Sequence, residues 1–296
     1  MIPPKAYIAA FSDSSELKPE LISSLIPNAG IRRRMNRLTR SAIAVGLQAL
    51  SNSGLSQVDA IITASGLGLL EESEKFLRTL IENNEQYLNP TPFIYSTFNT
   101  VGAQLAMLLK NHGYNMTYTH RNHSFESALI DALSLLQTTQ TNSVLLGAFD
   151  ILTPSSEQIL RRLGSFRHDR IPFEGASFFV LTNKPSSKTW GEIYLPQILS
   201  LPKEPSTPKE LLTLNPSISP DSSLPPLITW NGQVLSSSEM DIQVKKKYPV
   251  SPTLSAYALW NTLYSAHGNS PSKVGLIYTQ YPGMPSTLIP IRFLQS

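Results

Sequence analysis

The chain is predicted to be an α/β protein in which helices cover a largely parallel sheet. Over the first 184 residues, strand-like and helix-like segments alternate at the spacing of βαβ units. The strand candidates are near-continuous apolar runs, such as DAIITAS at 59–65 and SVLLGA at 143–148, the pattern of strands buried on both faces. With 41% hydrophobic residues in 296, the chain can bury one large core or two fused smaller ones.

Taken in order, residues 5–11 are a first strand. A helix over about 31–51 follows, because Leu38, Ala42, Val45 and Ala49 recur at i, i+4, i+7 and i+11 and so line one face. The apolar run at 59–65 ends in Gly66-Leu67-Gly68 and leads to a helix over 71–82, and residues 93–96 read as a short extended piece. VGAQLAMLLK at 101–110 is a helix with few polar positions, which implies burial on more than one side, as in a subunit interface. Residues 118–150, YTHRNHSFESALIDALSLLQTTQTNSVLLGAFD, read as strand, tight elbow, helix and strand. Residues 115–119 enter the elbow, 124–137 form its helix, and EGASFFVLT at 174–182 closes this portion with another strand. Between 185 and 226 the composition shifts to Pro, Ser, Thr and Leu, a density of proline that predicts an irregular connection. A strand at 227–230, a helix at 253–266 and strands at 274–278 and 286–292 complete the chain. The expected organisation is therefore an N-terminal half, 1–184, an irregular connection, 185–226, and a C-terminal half, 227–296.

Composition excludes several function classes. With no Cys there is no disulfide, Cys-ligated zinc or thiol redox chemistry. No metal-ligand pair, phosphate loop or fixed-period repeat is visible, so no cofactor and no metal is expected. The start, MIPPKAYIAAFSDSSELKPE, has too short an apolar run for a signal-peptide core or a membrane span, which makes the cytoplasm the expected location. A net charge of +3 with only 15% charged residues is too weak an excess to argue for nucleic acid.

Several segments resemble the thiolase-like superfamily, and within it the β-ketoacyl-synthase-like proteins found beside polyketide and aryl-polyene synthases. They are IRRRMNRLTRSAIAVGLQAL, DAIITASGLGLLEESEKFL, NPTPFIYSTFNTVGAQLAMLLKNHGYNMTYTHRNHSFESALIDAL, VLLGAFD, FEGASFFVLT, YPVSPTLSAYALWNTL and VGLIYTQYPGMPSTLIPI, in the family's order. The resemblance implies a thiolase-like αβαβα layered sandwich, here with a shortened C-terminal half.

In ketosynthases the elbow has the form T-A-C-S-S and its Cys carries the acyl chain. Small residues follow six and ten positions later, and a Gly about twenty-five positions on. Setting Ala128, Ala132 and Gly147 to those places puts Asn122 where the Cys would stand, and a one-residue shift puts His123 there. An amide is not nucleophilic and an acyl-imidazole is labile, so neither replaces a thiolate. Ketosynthases also use two His of the second half; beyond His168 this chain has only His267, and IYTQYPGMPSTLIPI takes the place of the family's glycine-rich loop. The resemblance thus implies a chain-length-factor type of protein, a non-catalytic subunit that pairs with an active ketosynthase, or with itself. It would help shape the acyl pocket in fatty-acid, polyketide or aryl-polyene biosynthesis.

Three sets of residues carry the functional expectations. At the elbow, Asn122, His123 and Ser124 support an alternative reading as an acyltransferase, condensing or hydrolytic enzyme, with Ser124 as nucleophile and His120 or His123 as base. The G-x-S-x-G pattern is absent, which favours the structural reading of these residues as turn formers with Ser124 the helix N-cap. Arg32, Arg33, Arg34 and Arg37, followed by Arg40, are candidate contacts for an acidic acyl carrier protein. Because positive charge opposes the dipole at a helix start, internal or subunit partners are the competing expectation. Phe93, Tyr95, Phe98 and Asn99, with Gln104 and Leu105 on the next helix, are candidates for the pocket and the subunit interface; such an aromatic cluster is also the ordinary content of a core. Lys245, Lys246 and Lys247 read as a solvated loop. A third reading, a scaffold that keeps the fold for assembly only, differs in having no acyl tunnel.

Overall fold

The computed structural model describes residues 5–138, 140–164, 170–172, 174–199, 205, 207, 210–211, 226–235, 248–266, 274–281 and 284–294. His168, His267, Lys245, Lys246 and Lys247 lie outside them.

The first half runs β1 (Lys5–Asp13), α1 (Pro19–Leu25), α2 (Ala29–Arg34), α3 (Arg37–Ser53), β2 (Ala60–Ala64), α4 (Leu70–Glu82), α5 (Pro90–Tyr95), α6 (Thr100–Leu109), β3 (Tyr114–Tyr118), α7 (Ser124–Leu136), β4 (Ser143–Asp150), α8 (Pro154–Arg162), β5 (Arg170–Pro172) and β6 (Gly175–Thr182). It continues through β7 (Gly191–Tyr194), β8 (Gln197–Leu199), β9 (Leu227–Trp230), β10 (Gln233–Leu235), β11 (Tyr248–Val250), α9 (Leu254–Ala266), β12 (Val274–Thr279) and β13 (Ser286–Phe293).

Four local expectations are corrected. The helix expected over 31–51 is two helices, because Asn36 leaves the helical conformation and its side chain accepts from the Thr39 N–H at 2.7 Å, starting α3 afresh. Arg32, Arg33 and Arg34 therefore lie in the last turn of α2, where positive charge suits the exposed carbonyls, and not at a helix start. Residues 93–96 are not extended: Asn89 caps Thr91 and Pro90 takes the first helical position of α5. Residues 191–194 and 197–199, inside the stretch expected to be irregular, form β7 and β8, in the gaps between Pro185, Pro196 and Pro202. The sequence reading also passed over α8, opened by a Thr153–Ser156 capping box, and the β9–β10 hairpin, whose Asn231 and Gly232 take φ of 48° and 81° in a two-residue turn.

Eleven strands form one continuous sheet in the order β10-β9-β12-β13-β7-β1-β6-β4-β2-β3, with β8 added against β13, and β5 pairs parallel with β11 in a separate two-stranded sheet. This order hides a duplication. In the first half β1 pairs antiparallel with β6, β6 antiparallel with β4, β4 parallel with β2, and β2 parallel with β3. In the second half β7, β13, β12 and β9 repeat the same sequence of pairings, and β10 closes the row antiparallel. The two sheets join edge to edge where β1 meets β7, with Tyr7 opposite Glu192.

Alternation along these strands divides the apolar side chains into layers. Phe178 and Val180 of β6 face α3 and α6, with Ile43, Val45 and Leu105, while Phe179 and Leu181 face α7. The layer between the two sheets is α7 and α9, whose Phe125, Leu129, Leu259 and Leu263 share one core with Ile277, Ile289 and Ile291 of the second sheet. That sheet's far side carries Ile228, Trp230 and Tyr278, covered by Leu211. The order helix, sheet, helix, sheet is that of the αβαβα sandwich, with Leu211 the one described residue over the outer face.

Candidate functional site

All the functional candidates at the elbow lie where the carboxyl ends of the parallel strands in both halves converge. β3 ends at Tyr118, a 3-10 turn spans Arg121–His123, and α7 begins at Ser124. The reversal is concentrated in Arg121, at φ 52°, a left-handed conformation that costs a non-glycine residue roughly 1–2 kcal/mol. Beneath it, Gly66 has no space for a side chain: a Cβ would lie 2.1 Å from Pro252 Cβ and 2.8 Å from the Arg121 carbonyl oxygen. The elbow is thus clamped between the loop after β2 and the entry to α9.

Ser124 is fully buried and does not cap α7. Its hydroxyl hydrogen-bonds the Arg121 carbonyl at 2.6 Å and also lies 3.1 Å from the Ser65 carbonyl, because Ser124 already has helical φ and ψ of −62° and −44°. His123 donates from Nε2 to the Pro285 carbonyl at 2.9 Å and packs edge-on against Tyr281. His120 Nδ1 pairs with Ser127 Oγ at 2.8 Å. Neither ring pairs with Ser124, so the Ser–His dyad of the hydrolase alternative is not assembled. Asn122 is half-buried, and its amide makes no hydrogen bond among the described residues.

Behind the elbow lies a polar cluster that the sequence reading missed. Glu126 is 0% exposed; its Oε1 accepts from Ser255 Oγ of α9 at 2.5 Å and from Thr287 Oγ1 of β13 at 2.8 Å. Ser255 Oγ also pairs with the Tyr281 hydroxyl at 2.8 Å. Burial pushes the Glu126 carboxyl up from its ordinary range, against the two hydroxyl donors, and burial with the neighbouring Glu126 pushes the Tyr281 phenol well up. A signal was present: Glu126 stands at i relative to Leu129 and Leu133 at i+3 and i+7, a carboxylate on the buried stripe of the helix.

A second buried carboxylate, Asp150 at the end of β4, holds the loop after β2. It accepts from Ser65 Oγ at 2.8 Å, Leu67 N at 2.8 Å and Gly66 N at 3.1 Å, while Gly68 N donates to Ser65 Oγ at 2.7 Å. Burial pushes its pKa up to about 6 although these donors favour the anion. A cleft of about 190 Å³ is lined by Ser14, Arg37, Leu38, Ser41, Asp150 and Glu174.

The remaining candidates are scattered by the fold. Arg32 donates to the Ile26 and Pro27 carbonyls and Arg37 pairs with Glu174 at 2.5 Å, whereas Arg33 and Arg34 are exposed. Phe93 and Phe98 are not core: they are 58% and 49% exposed, beside the exposed Asn99 and the half-buried Tyr95. Gln104 is half-buried. Leu105 is the correction in this set: it is fully buried, turned onto α3 where Gly46 leaves room for it, and presents nothing to a pocket or partner. Among the described residues there is no cluster of metal-ligating side chains, and no helix long and apolar enough to cross a membrane.

With the strand-to-helix elbow in place inside a duplicated sandwich, comparison with known families is decisive. The family described as beta-ketoacyl synthase, N-terminal domain, matches residues 14–162, half of the chain. The chain belongs to that family. No curated protein matches it. Among solved structures this ketosynthase-like chain is similar to the ishigamide ketosynthase/chain length factor, with TM-score 0.70 and 14% identity over 98% of this chain and 100% of that one. It is similar to AntDE:AntF, a type II PKS acyl-carrier protein in complex with its ketosynthase bound to the hexaketide, with TM-score 0.68 and 14% identity over 98% and 100%. It also resembles the ketosynthase ApeO in complex with its chain length factor ApeC from Xenorhabdus doucetiae, with TM-score 0.56 and 15% identity over 97% and 99%. At such identities these likenesses establish the fold.

Proposed function

We propose that this chain is a ketosynthase-like subunit of the chain-length-factor type, which pairs with an active β-ketoacyl synthase and contributes surface and shape to acyl-chain assembly. The observation that carries the reading is the edge of β3, which pairs only with β2 among the described residues. It ends the sheet, with Tyr114 and Met116 39% and 41% exposed, and packs beside α6, whose Met107 is 71% exposed. An unpaired strand edge among apolar side chains is a template for strand addition by another subunit. The elbow supports the same reading from the other side: no sulfur is present, and Ser124 is spent on carbonyl oxygens. The solved relatives named for a ketosynthase with its chain length factor make an active ketosynthase the favoured occupant.

On this reading Phe93 and Phe98 lie at the subunit junction, where bulk limits how far an acyl chain extends. Arg33 and Arg34, exposed and without an ion pair among the described residues, are the contacts for an acidic carrier protein. We place the start of the second half at β7, because β7 repeats the role of β1. The pair would work in the cytoplasm.

The test is co-expression with a ketosynthase encoded nearby. The wild type should co-purify as a one-to-one complex, and Met116→Lys should lose the partner while melting within about 2 °C of the wild type, as a surface change does. A Met116→Lys chain that pairs normally would remove β3 as the interface. Self-association of the wild type with no ketosynthase retained would replace the heterodimer by a homodimer. Turnover of an acyl thioester by the isolated chain, abolished by Ser124→Ala or His123→Ala, would instead establish the enzyme alternative.

A further inference from the structure

Side chains alternate along β3, so its two faces meet different layers. Asn115 donates to the Gly102 carbonyl of α6 and Thr117 pairs with Thr63 beside it, which turns Tyr114, Met116 and Tyr118 to the layer of α7. There α7 leaves one stripe uncovered. Ser127, Ile130, Asp131 and Ser134 stand at i, i+3, i+4 and i+7 and are exposed or half-buried, whereas Ala128, Leu129, Ala132 and Leu133 between them are fully buried. The middle helix layer is thus open at the same end as the sheet.

One charge sits in that opening. The Tyr114 hydroxyl donates to Asp131 Oδ2 at 3.0 Å, and Tyr118, four residues along the strand, engages the same carboxylate. Burial and then Asp131 push the Tyr114 phenol up to about 12, and the Tyr118 phenol upward too, so both keep their protons and serve as donors. Because Tyr114 and Tyr118 flank Met116 on that face, Asp131 stands over the middle of β3. No cation pairs with it among the described residues.

That position decides what can add to the edge. A second copy adding about a two-fold axis runs antiparallel, and a pairing that uses all five residues of β3 has its axis beside Met116. The axis is perpendicular to the sheet, so both α7 helices lie on one side of it and the two Asp131 carboxylates are brought towards each other. Like charges so placed oppose association, the more as the contact excludes water, whereas a cation in the same place favours it.

We propose that Asp131 is the specificity-determining residue of this edge, disfavouring a second copy of the chain and selecting a ketosynthase subunit that presents Lys or Arg opposite it. This rests on the pairing role proposed above.

The test compares self-association of the isolated chain, by sedimentation velocity, with affinity for the co-expressed ketosynthase, and circular dichroism on the same samples reports folding. Folded Asp131→Asn, which keeps an acceptor for Tyr114 but no charge, should self-associate about tenfold more tightly than the wild type and bind the ketosynthase about tenfold more weakly. Asp131→Glu keeps the charge and should match the wild type in both. Without any variant, wild-type self-association should strengthen between about 0.05 and 0.5 M NaCl, as screening weakens the repulsion. Unchanged self-association or unchanged ketosynthase affinity in folded Asp131→Asn would overturn the proposal, as would a wild type indifferent to salt. Weakening of both associations would do so too, by making Asp131 a support of β3 and nothing more. A wild type that retains no ketosynthase would overturn the pairing role instead, leaving the self-association of Asp131→Asn to decide whether the carboxylate bars a second copy.

Discussion

Replacing Asp150 by Asn should flatten part of the pH dependence of stability. Asp150 is 1% exposed and holds the loop after β2 through Ser65, Gly66 and Leu67. Burial pushes its pKa from 3.8 to about 6, so the folded chain binds the proton more tightly than the unfolded one. The stability this group contributes is then complete below about pH 4 and is lost as the pH rises through about 6. A shift of about two units corresponds to ~3 kcal/mol over the full range, of which about 2 kcal/mol falls between roughly pH 4.5 and 7. Asn has the same volume and does not titrate. Glu126 and Asp13, also pushed up by burial, titrate in both proteins and cancel in the comparison. Urea unfolding of wild type and Asp150→Asn at the two pH values measures the effect. The stability difference, wild type minus variant, should fall by about 2 kcal/mol on going to the higher pH. A difference constant to within about 0.5 kcal/mol, or one that rises, would refute the argument that burial outweighs the three donors.

Two further substitutions probe the core and the elbow. Gly147→Ala would set a Cβ 2.1–2.4 Å from the Phe178 ring on the neighbouring strand, which overpacking of this kind makes worth about 1–3 kcal/mol of destabilisation. Phe178→Leu should relieve part of it, so a double-mutant cycle by chemical denaturation should be non-additive, and additive values would count against the clash. Ser124→Ala removes a hydroxyl bonded to carbonyl oxygens of Arg121 and Ser65 and should cost about 1–2 kcal/mol in thermal or urea unfolding. An unchanged stability would mean that these bonds do not hold the elbow.

The elements that the sequence displayed best are those with a complete local signal. β2 and β4 are unbroken apolar runs because both faces of a parallel strand are covered, and α7 announces itself by Ala128, Ala132 and Leu136 on one face. The stretch through Arg32–Arg34 reads as part of one long helix because Arg favours helix, while the break depends on Asn36 turning its side chain back to accept from Thr39 N–H. β7 was concealed by composition: four ordered residues among prolines are outweighed in any window that averages over them. At the site, the elbow and its missing sulfur were legible, but its chemistry was not. Glu126 meets Ser255 and Thr287 across 129 and 161 residues of chain, and no local pattern pairs them.

By itself, the sequence determined that no thiol stands at the elbow, that strands and helices alternate, and which helix faces are apolar, since each is a property of residue type or of a period of a few residues. Tertiary structure alone decided that the two halves fuse through β1 and β7, that Ser124 is spent on carbonyl oxygens, that Phe93 and Phe98 face outward while Leu105 turns inward, and that Glu126 is sealed between α7, α9 and β13. The reason is physical: periodicity specifies which side of an element is buried, but the partner that buries it is chosen by how distant segments pack together.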